Sequence, residues 1–125
     1  MKKKLAILLW GATVDRPELC AAPFVHAASA AALDCQVEIH FSGPSVRLLV
    51  RDVAEQLRPW PDSDASIYSV MRQAAALGVE FKGCSMAMQK QVAADEALIP
   101  EYGGTAAASA FVARTLDPEW ATLVY

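Results

Sequence analysis

The sequence predicts an α/β fold, a three-layer sandwich in which a mainly parallel five-stranded sheet is flanked by helices. Three observations carry that reading. Short apolar runs alternate along the chain with longer alanine-rich or amphipathic stretches, as strand–helix–strand units require. The first run, residues 5–10, is continuously apolar, which suits a strand covered on both faces. Finally, 125 residues with 54% hydrophobic and 20% charged content supply one core and one domain, spanning 1–125.

The elements follow in order. A strand over residues 5–10 stops at Gly11. Alanine, the strongest helix former, dominates residues 23–33, and Pro23 is tolerated in the first turn. Val37, Ile39 and Phe41 alternate with Glu38 and His40, a strand closed by the Ser42-Gly43-Pro44 turn. Val46, Leu49, Val50, Val53 and Leu57 then recur at i, i+3, i+4, i+7 and i+11, which predicts an amphipathic helix. Arg47, Arg51, Asp52 and Glu55 take its solvated side, where Arg51 and Glu55 are spaced to pair. Arg58-Pro59-Trp60-Pro61-Asp62 breaks that helix as a loop within the domain.

Ser63 or Asp64 is the expected cap of the next helix, whose face carries Ile67, Val70, Met71, Ala74 and Leu77 up to Gly78. Residues 79–83 read as the third strand and lead into Cys84 and a short helix over 86–94. Leu98 and Ile99, before Pro100, predict a brief fourth strand. Gly103-Gly104 reads as a turn and Thr105 as the N-cap of a helix over 106–116. Asp117-Pro118 ends that helix, and residues 121–125 form the last strand.

Composition excludes several function classes. A net charge of −3 leaves no electrostatic footprint for nucleic acid or for an anionic membrane. Lys2, Lys3 and Lys4 precede an apolar run as in a secretory signal, but Asp15, Arg16 and Glu18 interrupt it. No stretch reaches the ~18 uninterrupted apolar residues of a membrane span. Cys20, Cys35 and Cys84 make an odd count with no CxxC pair, which points to a reducing cytoplasm rather than a disulfide framework. His26, His40 and the cysteines show no zinc spacing, so no metal is expected. There is no GxGxxG or GxxxxGK[ST] either, which argues against a nucleotide cofactor.

In open parallel sheets ligands bind beyond the carboxyl ends of the strands. That rule selects the loops after the first three strands, with Thr13, Ser42 and the Gly83-Cys84-Ser85-Met86 segment as candidate site residues. Cys84 is the strong nucleophile among them. A sulfur beside the free N–H groups of a helix start favours the thiolate, and Gly83 is expected to leave its approach open. The competing reading makes Cys84 a small packed hydrophobe. Cys35, at the start of the second strand, belongs to the opposite end of the sheet and reads as structural. Cys20 precedes the first helix on the same side as Cys84 and is a candidate second thiol. His26 is kept as a candidate imidazole near the strand ends, whereas His40 reads as a strand residue facing its own neighbours.

The Gly83-Cys84-Ser85-Met86-Ala87-Met88 segment, with Leu98-Ile99-Pro100-Glu101-Tyr102-Gly103-Gly104 downstream, resembles the DsrE/DsrF-like family of small sulfur-relay proteins with a YchN-like fold. The spacing of the first strand, first helix, second strand and last strand is similar as well, so the resemblance spans nearly the whole chain. It implies a five-stranded parallel sheet and assembly as a homotrimer or homohexamer. It also implies a persulfide carried on Cys84, with no cofactor, and a protein sulfur donor and acceptor as partners. Whether that makes the chain a sulfurtransferase or a passive carrier is left open. The Pro-Trp-Pro loop departs from the simplest members. The rival expectation is a non-catalytic oligomeric module that binds a small ligand or a protein partner at the same crevice.

Overall fold

The computed structural model describes residues 3–125; Lys2 of the basic start lies outside them. Five strands form one sheet: β1 (Lys4–Leu9), β2 (Gln36–Phe41), β3 (Glu80–Cys84), β4 (Tyr102–Ala106) and β5 (Trp120–Val124). Every pairing is parallel, and the order is β4-β3-β2-β1-β5. Four α-helices accompany it: α1 (Ala21–Ala32), α2 (Ile67–Ala76), α3 (Ser85–Gln91) and α4 (Ala108–Leu116). The predicted α/β class and parallel sheet are what the chain adopts. Among the described residues no helix is long and apolar enough to cross a membrane.

The period of two in the strands divides the sheet into two unlike faces. Ile7 and Leu9 of β1, Ile39 and Phe41 of β2 and Phe81 of β3 point to one face, and all are fully buried. There Phe24 of α1 packs its ring 5.9 Å from Phe41 and 5.8 Å from Phe81, and Ile67, Met71 and Ala74 of α2 join the same core. The alanines of α1 let it lie close to the sheet. Gly78 closes α2 in the left-handed region, at φ 96°. The opposite face presents Leu8, Glu38, His40, Lys82 and Cys84, and α4 covers it through Phe111 and Arg114. The polar side chains sealed under α4 are what make this second face chemically distinct.

Several expectations need correction. The amphipathic helix over 46–57 does not form; a 3-10 segment (Gly43–Leu49) and a short 3-10 turn (Ala54–Gln56) stand there instead. Val50 is extended between them and bridges Leu98 in an antiparallel sense, with Arg51 N–H donating to Ala97 O at 2.8 Å. Leu48 is buried together with Val46, Leu49 and Val50, a cluster too broad for one helical stripe. Tertiary pairing with residues 97–99 overrides the helical period, and the geometry that would pair Arg51 with Glu55 disappears with it.

Leu98 and Ile99 accordingly supply that bridge, not the fourth strand. β4 lies at Tyr102–Ala106, through the glycines read as a turn. Phe81 pairs with Tyr102 but Gly83 with Thr105, so two β4 residues face one β3 residue in a bulge, with Gly104 at φ 107°. Thr105 is therefore a strand residue, and Ala107 precedes α4 without a side-chain cap. Ser66, not Ser63 or Asp64, caps α2 by accepting Ser69 N–H at 3.1 Å. Ser63 is occupied in its own turn with Ala65. The Pro-Trp-Pro loop is closed at its base by Ile67 N–H donating to Leu57 O at 2.8 Å, and Trp60 stays exposed.

Candidate functional site

The carboxyl ends of β1, β2, β3 and β4 meet α4 around a cleft of about 240 Å³. Strand alternation decides what lines it. Leu8 is in register with His40, His40 with Lys82, and Cys84 with Ala106, so these side chains share the α4 face. Trp10 and Ser42, one step beyond the paired Leu9 and Phe41, add the outer row. From the other side Ala107, Ala108, Phe111 and Val112 close the cleft. Its walls are mostly apolar; Cys84, His40 and Ser42 supply the polar and reactive atoms.

Cys84 is half-exposed, ends β3 and caps α3 without a hydrogen bond from its side chain. The helix begins at Ser85, one residue earlier than the expected 86–94, and ends at Gln91. At seven residues it has only a small dipole, so the cleft matters more than the helix end. Gly83 points to the other face, where a Cβ would lie 2.8 Å from Met88 Sδ. It makes room for packing and does not open the approach to the sulfur. Ser85 and exposed Met86 follow Cys84 but are not among the residues lining the cleft.

Ser42 does line it, with its hydroxyl committed to Leu9 O at 2.6 Å and its N–H to Ser45 Oγ at 2.9 Å. Thr13 is drawn elsewhere: its carbonyl accepts the Cys20 thiol at 3.2 Å. Cys20 is fully buried, and a second contact at 3.5 Å to Arg16 O holds the same sulfur. Burial, reinforced by the nearby Glu18 charge, pushes its thiol up to about 11. A neutral, sealed sulfur of this kind is a structural group, so the structure does not bring Cys20 to Cys84 as a second thiol. Cys35 sits half-buried before β2, at the end of the sheet away from Cys84. His26 lies on the exposed side of α1 with Nδ1 hydrogen-bonded to the Tyr125 hydroxyl, away from the cleft.

His40 is the residue that sequence reasoning missed. It lines the cleft, is 5% exposed, and places Nε2 2.9 Å from Glu38 Oε1. Arg114 Nε donates to the same oxygen at 2.8 Å, and its guanidinium stacks over Trp120 at 4.1 Å. Burial works to raise the Glu38 pKa, but the hydrogen bonds from Arg114 and His40 outweigh it, and the carboxyl stays below its ordinary range. The signal was present in the alternation: His40 and Ser42 face away from Ile39 and Phe41, hence toward the side shared with Cys84.

A larger, shallow depression of about 640 Å³ lies along α2, lined by Arg72, Gln73 and Glu101 among others. It contains no cysteine, and its Ser69 hydroxyl is committed to Ser66 O at 2.7 Å, so the smaller cleft is the candidate site. Among the described residues no three His, Cys, Asp or Glu side chains converge as a metal site requires.

No protein-family model matches the sequence, and no curated protein matches it. Solved structures do. The chain superposes on the YchN protein of E. coli with a TM-score of 0.67 at 16% identity, covering 100% of both chains. It superposes on MTH1491, a protein of unknown function from Methanobacterium thermoautotrophicum, with a TM-score of 0.66 at 16% identity over 98% of each. At such identity the likeness concerns architecture, and the chain has the YchN-like fold: an all-parallel five-stranded α/β sheet.

Proposed function

We propose that this protein is a small cytoplasmic sulfur-relay protein that carries a persulfide on Cys84 and passes it to a partner thiol. The observation that supports it is the inequality of the three cysteines. Cys84 is half-exposed in the cleft at the strand ends, Cys20 is sealed with its thiol held neutral, and Cys35 sits at the far end. In the reaction the Cys84 thiolate attacks the outer sulfur of a donor persulfide R–S–SH. A new Sγ–S bond forms, the R–S bond to that sulfur breaks, and the departing R–S⁻ takes up the proton that the Cys84 thiol gave up, leaving as R–SH. Sulfur moves without an external oxidant, and a partner thiol repeats the exchange in the next step.

The partners in this reading are a protein sulfur donor, a protein acceptor and further copies of the chain. Exposed apolar side chains on α4 and β5, among them Leu116 and Val124, support self-association as a homotrimer or homohexamer. The apolar walls of the cleft favour a second reading, a module that binds a small apolar ligand there without covalent chemistry.

Loading the full chain with glutathione persulfide and mapping peptides by mass spectrometry separates the two. The relay reading expects one added sulfur on Cys84, none on Cys20, and loss of the label in Cys84→Ser. An unlabelled Cys84, or equal labelling of Cys84→Ser, removes it in favour of the binding module.

A further inference from the structure

The buried Glu38–His40 pair beside the cleft has no part in the relay as stated, yet its geometry is that of a held imidazole. An ionised carboxylate only accepts, so Nε2 carries the hydrogen shared with Glu38 Oε1, and in that tautomer of the imidazole the lone pair lies on Nδ1. Among the described residues no hydrogen bond reaches Nδ1, and none of their buried side-chain nitrogens or oxygens lacks a partner. Nδ1 therefore keeps contact with solvent, and the cleft is the opening that His40 lines. Phe111 packs its ring at 5.5 Å from the imidazole and restricts its tilt.

Register brings Cys84 within range. His40 is paired with Lys82, and Cys84 is the next β3 residue on the same face. Adjacent-strand spacing and a two-residue rise put the two Cα atoms about 8 Å apart. Two side chains converging on one cleft, or one bridging water, close that span.

We infer that His40 is the proton acceptor for Cys84, with Glu38 and Arg114 as positioning residues that fix its ring. The inference rests on the relay reading for its chemistry. Nδ1 takes the thiol proton as Sγ attacks the outer sulfur of the donor persulfide, and the resulting imidazolium returns it to the departing R–S⁻. The sum is Cys84–SH plus R–S–SH giving Cys84–S–SH plus R–SH. The other groups facing His40 are Lys82 of β3, itself paired with Glu80 at 3.4 Å, Arg114 of α4, and the uncharged Leu8 of β1.

Iodoacetamide alkylation of Cys84 in the full chain, followed by mass spectrometry across pH, tests this without any persulfide. His40→Gln keeps an amide nitrogen where Nε2 meets Glu38 but places no basic atom at Nδ1. Its alkylation at pH 7 is expected to fall about tenfold or more below the parent. The difference should close near pH 10, where an ordinary thiol ionises unaided. Glu38→Gln, which keeps the imidazole but loosens it, should fall between the two. An unchanged rate and pH profile in His40→Gln, with an unchanged melting midpoint, overturns the inference; if that variant does not fold, parent-like kinetics in Glu38→Gln do so. His40-dependent alkylation without persulfide uptake sinks the relay and leaves His40 standing. Uptake without His40 dependence does the reverse.

Discussion

Two glycines flanking the β3–β4 junction should respond very differently to the same added methyl group. At Gly103 a Cβ would sit 2.9 Å from Phe81 O, with the Phe81 carbonyl carbon and nitrogen at 3.8 and 3.9 Å. That neighbour is backbone in the middle of the sheet and has nowhere to go. At Gly83 the Cβ would meet Met88 Sδ at 2.8 Å and Cγ at 2.9 Å, with Tyr102 Cε1 at 3.3 Å. Met88 is half-buried, and its thioether end has rotamers to spare. Overpacking against fixed atoms costs about 1–3 kcal/mol. Gly→Ala recovers roughly 0.4–1 kcal/mol by restricting the unfolded chain. For 125 residues, at ~2.1 cal/mol/K per residue, each kcal/mol moves the melting midpoint by about 4 °C. Gly103→Ala should therefore melt about 4–8 °C below the parent, and Gly83→Ala within about 3 °C of it. Thermal unfolding followed by circular dichroism at neutral pH reads both. A Gly83→Ala protein that loses as much as Gly103→Ala refutes the reasoning, because the distinction between a movable side chain and a fixed carbonyl would have failed.

Two further outcomes are expected. Arg47, at 2.6 Å, and then Ala93 N–H hold the Glu96 carboxyl down to about 2, and Glu38 is also held low, so both carboxylates are more acidic folded than unfolded. The stability Glu96 contributes is present above the unfolded value near 4.5 and is lost as pH falls from there toward about 2, and that from Glu38 is lost in the same direction, as pH falls. Urea midpoints should decline through that window, less steeply in Glu96→Gln; an identical slope in the variant would contradict the assignment. As for assembly, sedimentation of the parent should give a multiple of 13.4 kDa, and Leu116→Lys with Val124→Lys should lower it. A monomeric parent would dismiss self-association.

Most elements were legible because their signals are local. The apolar run before Gly11, the alanines of α1, the alternation in Val37-Glu38-Ile39-His40-Phe41 and the stripe of α2 each state their own period. The helix expected over 46–57 failed because Val50 found a better partner in Leu98, some fifty residues on, than in its own helical neighbours. β4 was hidden because Gly-Gly-Thr-Ala carries no strand signal. It is extended only because it lies along the edge of β3.

By itself the sequence determined the α/β class, the position of Cys84 at the carboxyl end of the third strand and the separation of Cys35 from it, since chain direction and residue period suffice for these. Tertiary structure decided the neighbours. The order β4-β3-β2-β1-β5 sets β3 beside β2 and so brings His40 and Ser42 to the cleft of Cys84. Burial and two backbone carbonyls took Cys20 out of the chemistry. Periodicity tells each side chain which face it occupies, but only packing tells it who stands opposite.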